Sequence, residues 1–116
     1  MTEKILSGRI AIITGANQGL GREISKSYVT AGANVMLCAR NYDLLEKVEL
    51  ELNPFLGKNQ KIFIKKCDVT NENEVNALVH DTLDKLGGCQ ILVNNAGIYG
   101  PKGAIEDQAW DEWLLK

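Results

Sequence analysis

The sequence predicts an α/β protein whose parallel β-sheet is doubly wound, with helices on both faces. Apolar segments of strand length alternate along the chain with amphipathic segments of ten or more residues, the pattern of a parallel sheet with helical crossovers. The segment Ile10–Ile13 is apolar throughout, as expected of a strand buried on both faces. A glycine-rich turn then leads into an amphipathic segment.

The strands and helices are predicted in strict alternation. The predicted strands are Arg9–Thr14, Asn34–Ala39, Lys61–Lys66 and Ile91–Val93. The predicted helices are Leu20–Ala31, followed by Gly32 as a stop; Asn41–Asn53, which ends before Pro54; and Asn71–Leu86, followed by two glycines. On the first helix the pattern places Leu20, Ile24, Ser27, Tyr28 and Ala31 on one face. A further helix is predicted from about Asp107.

Right-handed crossovers and a glycine turn after the first strand predict the strand order 3-2-1-4. This is the first half of a Rossmann fold plus one strand, in a single domain spanning residues 1–116. The last helix carries Trp110, Trp113 and Leu114 and reaches Lys116 without a helix-ending residue. We therefore expect the chain to be truncated within a larger fold.

Composition narrows the classes of partner. The chain has 116 residues, 45% apolar and 24% charged, with a net charge of −2, so we expect neither nucleic acid nor a membrane surface as a partner. No apolar run approaches the roughly 20 residues of a membrane span. The three cysteines form no Cys-x-x-Cys pair and have no His or carboxylate cluster beside them, which predicts a reduced, cytoplasmic setting without a metal site.

The turn Thr14–Gly21 is the first candidate binding site. Gly15, Gly19 and Gly21 lie between a strand and a helix, where backbone N–H groups and a helix N-terminus can receive a phosphate. The alternative is a strand-to-helix turn without a ligand.

A second signal follows about twenty residues later, where dinucleotide-binding folds select between cofactors. The second strand ends at Ala39 with no acidic residue, and Arg40 follows it. An arginine there can pair with the 2′-phosphate of NADP, with Asn41 as a neutral donor. The alternative is a solvated surface arginine. Asp43 falls inside the next helix and is not interpreted as the selector.

Two further signals follow the third and fourth strands. Asp68 can accept a hydrogen bond from an adenine amine, or it can serve as a cap or turn residue before the next helix. The segment Asn94–Gly97 offers amides and small residues that admit a ribose, although Asn and Gly also favour plain turns.

Together these motifs resemble the short-chain dehydrogenase/reductase family. Its Thr-Gly-x-x-x-Gly-x-Gly and Asn-Asn-Ala-Gly signatures are complete here at Thr14–Gly21 and Asn94–Gly97, and the likeness covers nearly the whole chain. The resemblance implies an oxidoreductase that interconverts a carbonyl and an alcohol with NADP, or alternatively NAD. It also implies a homo-oligomer for the full-length protein.

The resemblance assigns cofactor contacts residue by residue. It implies that the pyrophosphate turn comprises Gly15, Asn17, Gln18, Gly19, Leu20 and Gly21. It implies that Arg40 selects NADP, that Asp68 and Val69 hold the adenine, and that Asn95, Ala96 and Gly97 border the ribose. Many NADP-dependent members carry Arg or Lys where this chain has Gln18.

The family's catalytic residues do not occur in this sequence. Its Tyr-x-x-x-Lys pair would need a lysine four places after Tyr28, Tyr42 or Tyr99, and those positions hold Gly32, Glu46 and Gly103. We therefore name no catalytic residue and expect this chain to be inactive alone. The alternative function is a catalytically inactive nucleotide-binding module. Tyr99–Gly103 could border a substrate pocket but indicates no particular substrate.

Overall fold

A computed structural model of the protein describes residues 4–95. Its elements, in chain order, are β1 (Ile10–Thr14), α1 (Gly19–Thr30), β2 (Asn34–Ala39), α2 (Tyr42–Leu52), a 3-10 turn at Asn53–Phe55, β3 (Ile62–Lys66), α3 (Glu72–Leu86) and β4 (Ile91–Val93). The four strands form one parallel sheet in the order β3-β2-β1-β4, which confirms the predicted order. The helix predicted from about Asp107 lies outside the described residues.

Strand β1 is at the centre of the sheet and is buried along its whole length. Its side chains alternate between the two faces of the sheet. Ala11 and Ile13 pack in the layer that contains α1 and α2, whereas Ile10 and Ile12 pack in the layer that contains α3. Because both faces are covered, the strand has no polar side, which explains its continuous apolar sequence.

The handedness of the crossovers explains which face each helix covers. From β1 through β2 to β3 the chain advances in one direction across the sheet, so right-handed connections place α1 and α2 on the same face. From β3 it returns past β1 to β4, so α3 lies on the opposite face. The direction in which strands are added to the sheet thus reverses between β1 and β4. Folds of this kind open a crevice for a ligand at the carboxyl ends of the strands beside such a point.

Helix α1 buries a different face from the one its apolar residues predict. Its fully buried positions are Gly21, Ser25 and Val29, whereas Leu20 is 66% exposed. Ile24 and Tyr28 flank the contact and are only partly buried. Small residues let the helix backbone approach the sheet closely, and the Ser25 hydroxyl is satisfied by the Gly21 carbonyl at 2.7 Å. The expectation that Leu20 faces the core was therefore wrong.

At the amino end of the sheet, the side chain of Gln60 joins three segments. Its amide nitrogen donates to the carbonyls of Val29, at 2.8 Å, and Ala33, at 2.7 Å. Its amide oxygen accepts from the N–H of Gly57 at 2.9 Å. The connection from α2 to β3 is thereby tied to the end of α1 and the start of β2.

We expect the buried face of α2 to dominate the stability of its layer. Replacing the fully buried Leu52 by alanine should lower the free energy of unfolding by about 2–5 kcal/mol, measured by urea denaturation, because the cavity cannot fully collapse. Leu50, which is 69% exposed on the same helix, provides the matched control. Leu50→Ala should change stability by less than about 0.5 kcal/mol, and equal effects of the two changes would contradict this packing.

Candidate functional site

A cleft of about 760 Å³ opens at the carboxyl ends of β1, β2 and β3. Its volume lies in the usual range for small-molecule sites, about 300–1,000 Å³. The lining residues come from the loops that follow the three strands and from the start of α2: Gly15, Asn17, Gln18, Ala39, Arg40, Asn41, Leu44, Cys67, Asp68, Val69 and Thr70.

Seven of the residues named from the sequence line this cleft: Gly15, Asn17, Gln18, Arg40, Asn41, Asp68 and Val69. Gly19, Leu20 and Gly21 form the first turn of α1 and are not in the cleft lining. Asn95 contacts the glycine turn from the end of β4, whereas Ala96, Gly97 and the segment Tyr99–Gly103 lie outside the described residues. Ala39, Leu44, Cys67 and Thr70 also line the cleft and were not named as cofactor contacts.

The glycine turn has a shape that side chains would prevent. Gly15 and Gly19 have φ values of 61° and 57°, in the left-handed region that favours glycine. Gly21 is required for a different reason, because a Cβ at this position would overlap the carbonyl of Gly15 and lie 2.9 Å from the side-chain nitrogen of Asn95. The absence of a side chain at Gly21 therefore lets α1 start directly against the turn.

The N-terminus of α1 differs from those of α2 and α3. The side chain of Asn41 caps α2 by accepting from the N–H of Leu44, and that of Asn71 caps α3 by accepting from the N–H of Glu74. Both helices also carry carboxylates in their first turn. Helix α1 has neither a side-chain cap nor an acidic residue there. As far as residues 4–95 show, its first N–H groups and the positive end of its dipole are thus open to an anion beside the cleft.

The end of β4 is fastened to the glycine turn by side chains. The amide of Asn95 donates to the carbonyl of Gly15 at 3.3 Å, and the hydroxyl of the fully buried Thr14 lies 3.3 Å from the carbonyl of Val93. These bonds join segments about eighty residues apart in sequence. Thr14 and Asn95 therefore hold the glycine turn against the end of β4.

Asp68 has the turn role that the sequence left open. One of its carboxylate oxygens accepts from the hydroxyl of Thr70 at 2.7 Å and from the N–H of Thr70 at 2.9 Å. These hydrogen bonds, with a smaller effect from the charge of Arg40, hold the pKa of Asp68 below its ordinary value. The helix cap itself is Asn71. Asp68 also lines the cleft, so the two roles are compatible.

The thiols of Cys38 and Cys67 lie side by side beneath the cleft. A hydrogen bond between them raises the pKa of Cys38, as does burial, and lowers the pKa of Cys67. Both residues are buried in the α3 layer, as small apolar residues would be. Within residues 4–95, no group of three or more His, Cys, Asp or Glu side chains could hold a metal ion. No helix of this part of the chain is long and apolar enough to cross a bilayer.

Comparison with known proteins agrees with this geometry. The model of the short-chain dehydrogenase family matches residues 9–114. The chain is 44% identical over 97 residues to 7alpha-hydroxysteroid dehydrogenase of Escherichia coli K12, covering 84% of this chain and 37% of that protein. It is 35% identical over 101 residues to L-fucose dehydrogenase of Oryctolagus cuniculus, covering 87% of this chain and 33% of that protein. The chain belongs to the short-chain dehydrogenase family.

Solved structures show the same fold. A hydroxysteroid dehydrogenase from Escherichia coli superposes with a TM-score of 0.75 at 43% identity, over 85% of this chain and 39% of that one. The 3-ketoacyl-(acyl-carrier-protein) reductase of Brucella melitensis, solved with NADH, gives a TM-score of 0.67 at 31% identity, over 75% of this chain and 33% of that one. The chain thus spans well under half the length of these relatives.

We expect Gly21 to be the least replaceable residue of the site. Gly21→Ala should lower the free energy of unfolding by about 1–3 kcal/mol, because the added methyl group meets backbone that cannot move aside. Urea denaturation measures this loss. The control is Gly57→Ala, whose Cβ would contact only the side chain of Gln60, at 3.4 Å. If Gly21→Ala were no more destabilising than Gly57→Ala, the close approach of α1 to the turn would be contradicted.

Proposed function

We propose that this chain is the cofactor-binding part of an NADP(H)-dependent oxidoreductase that interconverts a carbonyl and an alcohol. The observation that carries the proposal is the N-terminus of α1, which lacks a side-chain cap and an acidic residue and opens behind a glycine turn at the cleft. Backbone donors arranged in this way fit the pyrophosphate of a dinucleotide. NAD is the alternative cofactor.

We propose a position for each part of the cofactor. The pyrophosphate would lie on the turn from Gly15 to Gly21, with Asn17 and Gln18 at its edge. The adenine would lie by Asp68 and Val69, where the second oxygen of the Asp68 carboxylate can accept from an amine. The ribose region would approach Asn95, Ala96 and Gly97. When bound, the nicotinamide supplies the hydride, and these residues orient it.

The preference for NADP rests on Arg40. Arg40 follows the last residue of β2 and lines the cleft, and within residues 4–95 no carboxylate lies close enough to form an ion pair with it. A planar guanidinium matches the 2′-phosphate of NADP and gains little from a free hydroxyl. The Brucella melitensis reductase was solved with NADH, so the cofactor of a relative does not decide the question for this chain.

We infer that the residues that move the proton belong to a part of the protein outside this chain. No tyrosine of the sequence is followed four places later by lysine, and the relatives in the comparison are more than twice as long as the matched segment. A catalytically inactive nucleotide-binding module is the alternative. For the whole protein we propose a homo-oligomer in the cytoplasm, where three free cysteines would stay reduced.

We predict that Arg40→Ala weakens NADPH binding by about tenfold to a hundredfold, because a charge-assisted interaction with the 2′-phosphate is lost. NADH binding should stay nearly unchanged. Isothermal titration of both cofactors measures the two affinities. Arg9→Ala is the matched control, since Arg9 is exposed at the amino end of β1, away from the cleft. Equal affinities of the unaltered chain for NADPH and NADH would refute the role of Arg40.

We also predict that the purified 116-residue chain does not catalyse the reduction of ketones by NADPH. With NADPH and a panel of ketones, nicotinamide absorbance should fall no faster than in the absence of protein, because no residue of this chain is assigned to deliver the proton. Robust consumption of NADPH that depends on a ketone would show that the chain contains catalytic groups of its own.

A further inference from the structure

Lys66 lies beside the residue proposed to select the cofactor. It is the last residue of β3 and pairs in register with Ala39, the last residue of β2. Arg40 is the next residue after Ala39 in the chain. In-register side chains of parallel strands point to the same face. Ala39 and Ile62 belong to the layer of α1 and α2, so Lys66 is directed to that layer also, where it is exposed.

A shallow hollow of about 630 Å³ brings these groups together. It is lined by Arg40, Asn41, Tyr42, Asp43 and Lys66. Arg40 and Asn41 also line the main cleft, so the two spaces meet at these residues. A group that projects from a ribose in the cleft past Arg40 would therefore enter a space that Lys66 borders.

The cationic side chains that line the hollow form no ion pair within residues 4–95. Lys65, the preceding residue, forms an ion pair with Asp81 at 2.8 Å. Neither Lys66 nor Arg40 has an ion pair of this kind within the described part of the chain, although Asp43 lines the same hollow. The hollow itself is thus lined by two cations and one carboxylate, while the carboxylate of Asp68, which also feels the charge of Arg40, lines the main cleft and is engaged by Thr70.

We propose that Lys66 is a second cation for the 2′-phosphate of NADP, acting with Arg40, and that Asp43 limits the affinity. This rests on the proposed function. A phosphate monoester carries close to two negative charges near pH 7, and a single arginine neutralises only one of them. The lysine, an exposed point charge on a flexible stem, compensates the second charge without needing bidentate geometry.

The test uses two adenosine nucleotides that differ only in the 2′-phosphate. Adenosine 2′,5′-bisphosphate and adenosine 5′-monophosphate are titrated into the full chain by calorimetry. Lys66→Met should weaken binding of the bisphosphate about fivefold and leave the monophosphate nearly unchanged, because one solvent-exposed charge interaction is lost. Lys66→Arg should keep most of the affinity, and Asp43→Asn should increase affinity for the bisphosphate alone.

Lys61→Met is the matched control, since Lys61 is exposed just before the amino end of β3 and does not line either space. Far-ultraviolet circular dichroism of each variant confirms that the fold is retained. If the unaltered chain binds both nucleotides equally, the NADP preference and the role of Lys66 both fail. If the unaltered chain prefers the bisphosphate but Lys66→Met changes that preference no more than Lys61→Met does, only the role of Lys66 is overturned.

Discussion

The contact between the backbone of Gly15 and the α-carbon of Gly21 sets the geometry of the whole carboxyl edge of the sheet. It lets α1 begin directly above the end of β1, closer than any side chain would permit. Asn95 follows the edge strand β4 and donates to the same carbonyl of Gly15, so the end of β4 is also fastened to this contact. The close approach of α1 to the glycine turn therefore depends on two residues that have no side chain.

The site can accept an anion because no acidic residue lies in the first turn of α1. The chain carries a net charge of −2, yet the first turn of α1 has no acidic residue, whereas the first turns of α2 and α3 contain Asp43, Glu72 and Glu74. The carboxylate of Asp68, which does face the cleft, is engaged on one side by Thr70. Arg40 adds a cation at the other side of the same space. A protein that is acidic overall thus presents a local site suited to an anion.

The sheet order and the limits of most elements could be predicted from the sequence because apolar periodicity and handedness leave few alternatives. Asn41 and Asn71 were placed at the starts of helices and are the caps that the structure shows. The buried face of α1 could not be predicted, since its closest contacts involve Gly21 and Ser25, which hydrophobicity does not rank. The three bonds of Gln60 depend on distant segments that no local pattern connects. The cofactor roles of the cleft residues, including Ala96 and Gly97, stay predictions.

All three cysteines of the chain, Cys38, Cys67 and Cys89, are buried in the layer of α3, and the layer of α1 and α2 contains none. Cys38 and Cys89 are fully buried, so a thiol reagent reacts with them only after the layer of α3 opens, whereas Cys67 also lines the cleft. The rate at which Cys38 and Cys89 react therefore measures the local opening of that layer. Cys38 and Cys89 thus provide an intrinsic probe of loosening beneath α3, without the introduction of any label.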